Sequence, residues 1–216
     1  MSSQNHHGDA GQTDIPVSFD TISGAILAGG QSTRMGTDKA LLQFNGQPVI
    51  ERVYRSMAGL FNKTVLVTNH PEQYRFLPCP AVADHFVESG PLAGIHAALT
   101  WTTTDWVFVV ACDMPLISTV VIRYLCNLAD DYDAVVPCSS TGTEPLHALY
   151  NRRCLTVIEP MLQQGHRRIA ELHEATNTHF VPWEEVARLP GAKQSFQNIN
   201  TPEAFARLSS ACRYVR

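Results

Sequence analysis

The chain is 216 residues long, with 44% hydrophobic and 17% charged residues, which is the balance of an ordinary globular protein with one core. Its 16 Lys and Arg residues and 20 Asp and Glu residues give a formal net charge of −4, so no global positive field attracts nucleic acid or an anionic membrane. We therefore expect neither partner, and any phosphate chemistry must depend on a local site.

The chain begins with a polar segment that contains glycine. Residues 1–20 show no hydrophobic periodicity, so we predict that they form a disordered tail. The remaining residues, 21–216, contain no internal repeat and no low-complexity linker, and we predict that they form a single domain.

From Ile22 onward, apolar strand-like runs alternate with helix-like segments. Several runs are apolar at consecutive positions, as expected of strands that are covered on both faces. Strands are predicted at Ile22–Ala28, Thr64–Thr68, Trp106–Cys112, Asp133–Pro137, Leu146–Tyr150, His179–Trp183 and Phe196–Ile199. Helices are predicted at Pro48–Leu60, Leu92–Trp101, Thr119–Ala129, Arg152–Gln164 and Pro202–Ala211. This alternation predicts an α/β fold with a mostly parallel central sheet.

The six cysteines form no CxxC pair and show no spacing with histidine that is typical of a zinc site. The first residues lack the charged-then-apolar pattern of a signal peptide. The longest unbroken apolar run, Trp106 to Cys112, is too short to span a bilayer. We therefore expect a cytoplasmic protein with free thiols.

The most informative segment runs from Ala25 to Leu42 and reads AILAGGQSTRMGTDKALL. Its apolar strand leads into Gly29 and Gly30, which allow the backbone to approach a phosphate without a Cβ in the way. Arg34 and Lys39 follow as cations. The spacing matches neither a P-loop nor GxGxxG. An ordinary strand-to-loop turn with solvated charges is the alternative, but the close grouping of glycines and cations favours a triphosphate cradle.

This segment resembles the signature of nucleotidyltransferases with a Rossmann-like sheet, and the combination of LAGG with DKALL is similar to that of the molybdenum cofactor guanylyltransferases. The resemblance covers residues 22 to 208 and continues in GPLAG at 90–94, ACDMP at 111–115 and NINTPE at 198–203. It implies a Rossmann-like three-layer sandwich of the nucleotidyltransferase type. The implied reaction transfers GMP from GTP to molybdopterin, forms the guanine dinucleotide of the molybdenum cofactor and releases pyrophosphate.

The resemblance assigns the phosphate and metal chemistry to three charged side chains. Lys39 and Arg34 would stabilise the triphosphate, and Asp113 would hold Mg²⁺, which neutralises charge as pyrophosphate leaves. A helix-capping role is the alternative for Asp113. The residues whose backbone would contact the nucleotide are Leu27, Ala28, Gly29 and Gly30.

Four further residues are implied on the nucleotide side. Asp84 corresponds loosely to the nucleotide-contacting Asp of the family, and a plain loop position is the alternative. Thr68 and Asn69 end a predicted strand where the family binds the guanosine, and the sequence leaves open which of the two makes the contact. Gly94 closes the GPLAG motif, whose N–H groups would face an anion or the base, or which forms a tight turn into a packed helix.

Asn198 and Asn200 are implied on the pterin side of the cleft. They alternate on a predicted strand, so both side chains should point to one face; a capping role ahead of Thr201 is the alternative. The segment from Gly165 to Arg168 could supply cations for the molybdopterin phosphate, or it could be a solvated helix end. His147, within a strand-like run, is predicted to be a core residue rather than a catalyst.

Other functions compete with this interpretation. A molybdopterin cytidylyltransferase has the same scaffold with a different base pocket, and a sugar-nucleotide pyrophosphorylase is disfavoured by the short chain and by the last motif. A non-catalytic nucleotide-binding adaptor would not need both Lys39 and Asp113. Under the favoured interpretation the partners are GTP and molybdopterin as substrates, with transient contacts to cofactor-biosynthesis proteins and apo-molybdoenzymes.

Overall fold

The computed structural model describes residues 19–29, 38–86 and 89–211. Residues 1–18, most of the predicted tail, therefore lie outside the described residues. The first described element is a 3₁₀ helix, Phe19–Thr21, and the Phe19 ring contacts the Phe61 ring at 5.8 Å between centroids. The packed structure thus includes the last two residues of the segment that was predicted as tail.

Strands and helices alternate through the described residues. The strands are β1 (Ile22–Leu27), β2 (Gln43–Phe44), β3 (Gln47–Pro48), β4 (Thr64–Val67), β5 (Ala81–Val82), β6 (Trp106–Ala111), β7 (Ala134–Ser139), β8 (Gly142–Thr143), β9 (His147–Asn151) and β10 (Thr178–Val181). The helices are α1 (Val49–Ala58), α2 (Gly90–Trp101), α3 (Thr119–Asn127), α4 (Leu155–Gln163), α5 (Ile169–Ala175), α6 (Trp183–Val186), α7 (Ala192–Ser195) and α8 (Pro202–Ala211). Within this described part, none of the helices has the length and apolar character that crossing a membrane requires.

Eight of these strands form one mixed sheet. Their order is β10-β7-β9-β6-β1-β4-β5, with β8 paired to β7. β1 is parallel to β4 and β6, β4 to β5, and β7 to β10, whereas β9 is antiparallel to both of its neighbours. The predicted mostly parallel sheet is confirmed, with two strands reversed, β9 near its middle and the short β8 beside β7. β2 and β3 form a separate hairpin.

Helices cover both faces of the sheet because its central strands are apolar at consecutive positions. All six residues of β1 are buried. Ile22 and Ile26 belong to the core on one face, and Ala25 and Leu27 belong to the core on the other. Helices α1, α3 and α8 contribute to the first core, and α2, α4 and α5 contribute to the second. The predicted three-layer sandwich is therefore confirmed.

Most predicted elements coincide with observed ones. Six of the seven predicted strands and all five predicted helices agree to within about three residues at either end, and α8 has the predicted bounds, Pro202–Ala211. The unpredicted elements are the short strands β2, β3, β5 and β8 and the helices α5, α6 and α7.

The predicted strand Phe196–Ile199 is wrong. This segment follows α7 directly and joins Asp113 through a backbone hydrogen bond from Ile199 N (2.9 Å) instead of a strand ladder. The Phe196 ring packs against the rings of His147 and Trp183, at 4.9 Å and 6.4 Å between centroids. The apolar residues of the segment thus reflect burial in the core, which periodicity does not distinguish from strand pairing.

Gly24, in the middle of β1, leaves no room for a side chain. A Cβ there would lie 2.9 Å from Phe61 Cδ2, 3.0 Å from Met57 Cε and 3.1 Å from Thr64 Oγ1. We expect Gly24→Val to lower the free energy of unfolding by about 2–3 kcal/mol, because overpacking a filled core strains its neighbours. Urea unfolding followed by circular dichroism measures this change.

The matched control is Gly29→Val, just after the same strand. No described atom lies within 4 Å of the Cβ that would be added at Gly29, so its unfolding midpoint should equal that of the unmodified chain. If both variants unfold at the same urea concentration, the core beside Gly24 adapts to the valine and the packing argument is wrong.

Candidate active site

The carboxyl ends of β1, β4 and β6 meet at one edge of the sheet, as parallel neighbours do. Backbone hydrogen bonds extend the pairing one residue beyond the strands. Ala28 N donates to Val67 O (2.9 Å), and Cys112 N donates to Leu27 O (3.1 Å). The loops that carry the predicted site residues therefore leave the sheet side by side.

Lys39 begins a 3₁₀ turn, Lys39–Leu41, in the loop between β1 and β2. Asp38 caps this turn, since its Oδ1 accepts a hydrogen bond from Ala40 N (3.0 Å). The Lys39 ammonium donates to Asn200 Oδ1 (2.9 Å). The predicted phosphate-side lysine and the predicted pterin-side asparagine are therefore in contact, although 161 positions separate them in the chain.

Two residues of the predicted cradle, Gly30 and Arg34, lie outside the described residues. Leu27 and Ala28 are buried in the cores on opposite faces of the sheet. Gly29 is exposed, and no described atom occupies the space where a Cβ would sit. Backbone without a side chain, and without a described atom beside it, is what lets a phosphate group approach.

Asp113, the predicted metal ligand, lies in the loop directly after β6. Its Oδ1 is buried without a hydrogen-bond partner among the described residues. Burial raises the pKa of this carboxyl above its usual value, while the Lys39 charge and a backbone hydrogen bond oppose the rise. In the described part of the chain, Lys39 and Asp113 form no ion pair with each other.

This carboxylate is suited to a divalent metal whose remaining ligands come from a substrate. No group of three or more His, Cys, Asp or Glu side chains within the described ranges could hold a metal ion by itself. One carboxylate oxygen with unused acceptor capacity can bind a hard cation whose other ligands are phosphate oxygens and water. Asp113 Oδ1 fits that requirement.

The segment around Ile199 brings both predicted asparagines to the same edge. Ile199 is buried and bonds to the Asp113 backbone. Asn198 Oδ1 is buried and has no hydrogen-bond partner among the described residues, whereas Asn200 is exposed and contacts Lys39. The structure therefore brings Lys39, Asp113 and the two asparagines together without the predicted strand.

Asn69 and Asp84 pair with each other beyond the ends of β4 and β5. Asn69 Nδ2 donates to Asp84 Oδ2 (3.1 Å), and Asp84 N donates to Asn69 Oδ1 (3.2 Å). Asp84 Oδ1 is buried and unpartnered among the described residues. Thr68 is buried, and its hydroxyl accepts from His70 N (3.1 Å) in the turn after β4. Of the two alternatives at this position, Asn69 offers the more accessible polar group.

Gly94 lies at the start of the second turn of α2 and faces β1. A Cβ there would come within 3.0 Å of Leu27 Cδ1, so the missing side chain lets the helix pack closely on the strand. Gly90, which begins α2, has a φ of 69°. Packing accounts for Gly94, and its contact with a nucleotide stays a prediction.

The basic segment from Gly165 to Arg168 connects α4 to α5. Because β9 runs opposite to β6, the helix that follows β9 returns along the sheet toward the edge that holds Asp113. His166 Nδ1 lies 2.8 Å from Glu171 Oε2, and Arg168 Nε lies 3.5 Å from Glu171 Oε1. The topology therefore directs this segment to the same edge, on the side covered by α2.

His147, at the start of β9, is the core residue that the sequence predicts. Its ring is edge-on to Phe108 and Phe196, at 5.4 Å and 4.9 Å between centroids, and its Nε2 lies 3.4 Å from Ser195 Oγ. Burial lowers the pKa of His147 to about 3. The imidazole is therefore neutral at physiological pH and supports the segment that leads to Asn198.

Tyr74 is a residue of this edge that sequence reasoning missed. It ends a 3₁₀ helix, Pro71–Tyr74, between β4 and β5, and its hydroxyl donates a hydrogen bond to Asp38 Oδ2. Burial, followed by the hydrogen bond and the charge of Asp38, raises the pKa of the Tyr74 phenol far above its usual value. No local sequence pattern marks this residue, because the contact that reveals it joins two separate loops.

Comparison with known proteins agrees with this geometry. A family model described as "MobA-like NTP transferase domain" matches residues 24–178. The molybdenum cofactor guanylyltransferase of Syntrophotalea carbinolica is 35% identical over 187 residues, which cover 86% of this chain and 89% of that protein. The molybdenum cofactor guanylyltransferase of Desulfosudis oleivorans is 34% identical over 200 residues, which cover 92% of this chain and 99% of that protein.

A solved structure is similar as well. The crystal structure of molybdopterin-guanine dinucleotide biosynthesis protein A from Archaeoglobus fulgidus superimposes with a TM-score of 0.78 at 29% identity, covering 88% of this chain and 98% of that one. The family match begins within β1, at Gly24, and includes the Asp113 loop. The chain therefore belongs to the MobA-like NTP transferase family and, within it, to the molybdenum cofactor guanylyltransferases, which are nucleotidyltransferases.

Proposed function

We propose that this protein transfers GMP from GTP to molybdopterin, forms the guanine dinucleotide form of the molybdenum cofactor and releases pyrophosphate. The observation that carries the proposal is the placement of Lys39 and Asp113 at one edge of the sheet with their opposite charges unpaired within the described residues. A protein that only binds nucleotide needs a cation for the phosphates but no buried carboxylate beside it. The names of the relatives support the same reaction.

For the metal we propose Mg²⁺. Nucleotidyl transfer generally uses a divalent cation, and Mg²⁺ prefers one or two carboxylates together with substrate phosphates. Asp113 would hold the ion through Oδ1, the buried oxygen that lacks a hydrogen-bond partner among the described residues. When bound, the ion would supply neutralisation of the phosphate charge.

The residues of the chain would act by positioning and electrostatics. The Lys39 ammonium has three N–H donors, one of which is bound by Asn200, so two can reach oxygens of the triphosphate. The exposed backbone at Gly29 would admit a phosphate, with Gly30 and Arg34, which follow in the chain, contributing to its binding. The terminal phosphate of molybdopterin would attack the α-phosphate of GTP in line, and no protein nucleophile is needed.

Asn198 and Asn200 would face the acceptor substrate. The unpartnered Oδ1 of Asn198 would accept a hydrogen bond from molybdopterin. Asn200 Oδ1 accepts a hydrogen bond from Lys39. Asn200 would therefore link the lysine that contacts GTP to the side that binds molybdopterin. The cations of Gly165 to Arg168 would meet the molybdopterin phosphate from the side of α2.

Asp84 would recognise the guanine base. Guanine presents N–H donors at N1 and N2 beside the acceptor O6, and a carboxylate with an unpartnered oxygen can accept from those donors. Asn69 would orient the carboxylate through its two hydrogen bonds to Asp84. Cytosine has a smaller ring with a different polar edge, so it would leave this carboxylate unsatisfied.

We place the enzyme in the cytoplasm as one domain, residues 21–216 as the sequence predicts, with Phe19 and Asp20 packed at its start. The described cysteines are free thiols, as a reducing compartment keeps them. Transient contacts with cofactor-biosynthesis proteins and apo-molybdoenzymes would follow from a product that must be handed on.

We expect Asp113→Asn to keep the fold but to lower turnover about a hundredfold or more, because it removes the charge that would hold the metal and preserves the side-chain shape. Initial rates of dinucleotide formation at saturating Mg²⁺ measure this effect. The control is Asp105→Asn. Asp105 is an exposed residue directly before the amino end of β6, so this variant should turn over at the normal rate. A normal rate for Asp113→Asn would remove Asp113 from the mechanism.

Gly29→Val should abolish GTP binding while the melting temperature stays the same. The branched side chain would fill the space where the backbone meets a phosphate, yet it would touch no described atom of the fold. Gly29→Ala, with a single methyl group, should retain weakened binding. Isothermal titration with GTP gives the three affinities, and an unchanged affinity for Gly29→Val would show that the cradle lies elsewhere.

We expect kcat/KM for GTP to exceed that for CTP by at least about a hundredfold, or about 2.7 kcal/mol of transition-state binding. A pocket that hydrogen-bonds the purine leaves buried groups unpaired when CTP enters. The assay incubates the protein with Mg²⁺, molybdopterin and each nucleotide, and then identifies the dinucleotide formed. A preference for CTP would replace the guanylyl assignment with the cytidylyl alternative.

A further inference from the structure

The contact between Tyr74 and Asp38 joins two loops at the sheet edge that carries Lys39 and Asp113. Tyr74 belongs to the connection between β4 and β5, and Asp38 belongs to the connection between β1 and β2. Tyr74 is only 5% exposed, and its hydroxyl donates to Asp38 Oδ2. The other carboxylate oxygen, Oδ1, accepts from Ala40 N at 3.0 Å. Both oxygens of Asp38 are therefore engaged.

These two hydrogen bonds of Asp38 fix the backbone position of the next residue, Lys39. The cap fixes the first turn of the 3₁₀ helix that Lys39 begins. The tyrosine fixes the cap itself, because the carboxylate is hydrogen-bonded to a buried ring whose rotamer the core determines. The backbone turn of Lys39 is thus attached to the core through the Tyr74 side chain, which comes from a different loop.

The same contact also keeps two opposite charges apart. Asp38 and Lys39 are adjacent in sequence, yet Lys39 forms no ion pair among the described residues, and its ammonium donates to the neutral amide of Asn200 at 2.9 Å. A carboxylate released from Tyr74 would be free to pair with the neighbouring ammonium. Such a pair would neutralise the positive charge that a triphosphate needs.

We propose that Tyr74 is a positioning residue for Lys39, which acts through Asp38 by fixing the lysine turn and by holding the carboxylate away from the ammonium. Asn200 fixes the other end of the lysine, because its Oδ1 accepts a hydrogen bond from the Lys39 ammonium. The inference rests on the proposed function, in which Lys39 contacts the triphosphate of GTP.

The test measures Mg-GTP affinity by isothermal titration on the full chain, without molybdopterin. We expect Tyr74→Phe to weaken binding about tenfold, since small misplacements of a binding group cost one to two orders of magnitude. Adding Asp38→Asn to Tyr74→Phe should restore most of the affinity, because an asparagine still caps the turn but cannot form an ion pair with Lys39. Melting temperature is recorded for every variant.

The rescue separates positioning from a merely structural role. If the Tyr74 hydroxyl only stabilises the fold, the double variant will melt no higher than Tyr74→Phe and will bind GTP no better. Restored affinity at an unrestored melting temperature supports the proposal. The matched control is Tyr124→Phe, which also removes a hydroxyl that donates to a carboxylate, Glu185 Oε2 at 2.9 Å, and it should leave GTP affinity unchanged.

The Lys39→Ala variant distinguishes failure of this inference from failure of the proposed function. Lys39→Ala should weaken GTP binding strongly, and adding Tyr74→Phe to it should have no further effect. Wild-type affinity in Lys39→Ala would overturn the assigned role of the lysine and the inference with it. Weak binding in Lys39→Ala together with normal binding in Tyr74→Phe, or with independent additive effects, would overturn the positioning role alone.

Discussion

The candidate active site, at the carboxyl edge of the sheet, depends on one electrostatic constraint. A cation and a carboxylate lie near each other there without neutralising each other. Lys39 is close enough to Asp113 to oppose the rise of its pKa, yet the two form no ion pair among the described residues. A neutral amide binds the ammonium, and a backbone N–H holds the aspartate loop through its carbonyl. Both charges are thereby left available for the phosphate and the metal of the proposed function.

The sheet satisfies this constraint through its rigidity. The two charges come from loops that follow β1 and β6, and the register of those parallel strands continues through the bond from Cys112 N to Leu27 O (3.1 Å). Helices approach β1 closely from both faces, because Gly24 and Gly94 have no side chain where neighbouring atoms lie. Core packing therefore sets the separation of the charged loops, since a close-packed interior transmits displacement and does not absorb it.

The sequence predicts those features that local pattern controls. The continuous apolar runs of β1 and β6 indicate strands buried on both faces, and the helix predicted at Pro202–Ala211 has those bounds in α8. The glycines and cations after β1 indicate a phosphate site. Sequence patterns do not predict features that depend on contacts between segments distant in the chain. Phe196 is apolar because of ring contacts in the core, and the bond between Lys39 and Asn200 joins loops that no periodicity relates.

The buried His147 has a consequence for how the molecule responds to acid. An unfolded chain takes up a proton on this imidazole near pH 6.5, whereas the native fold does so only near pH 3. Acidification below neutrality therefore favours the unfolded state, because that state binds the additional proton. The imidazole contacts Ser195 and Phe196, just before Asn198. Protonation of His147 would therefore loosen the segment that leads to Asn198 before the rest of the fold is lost.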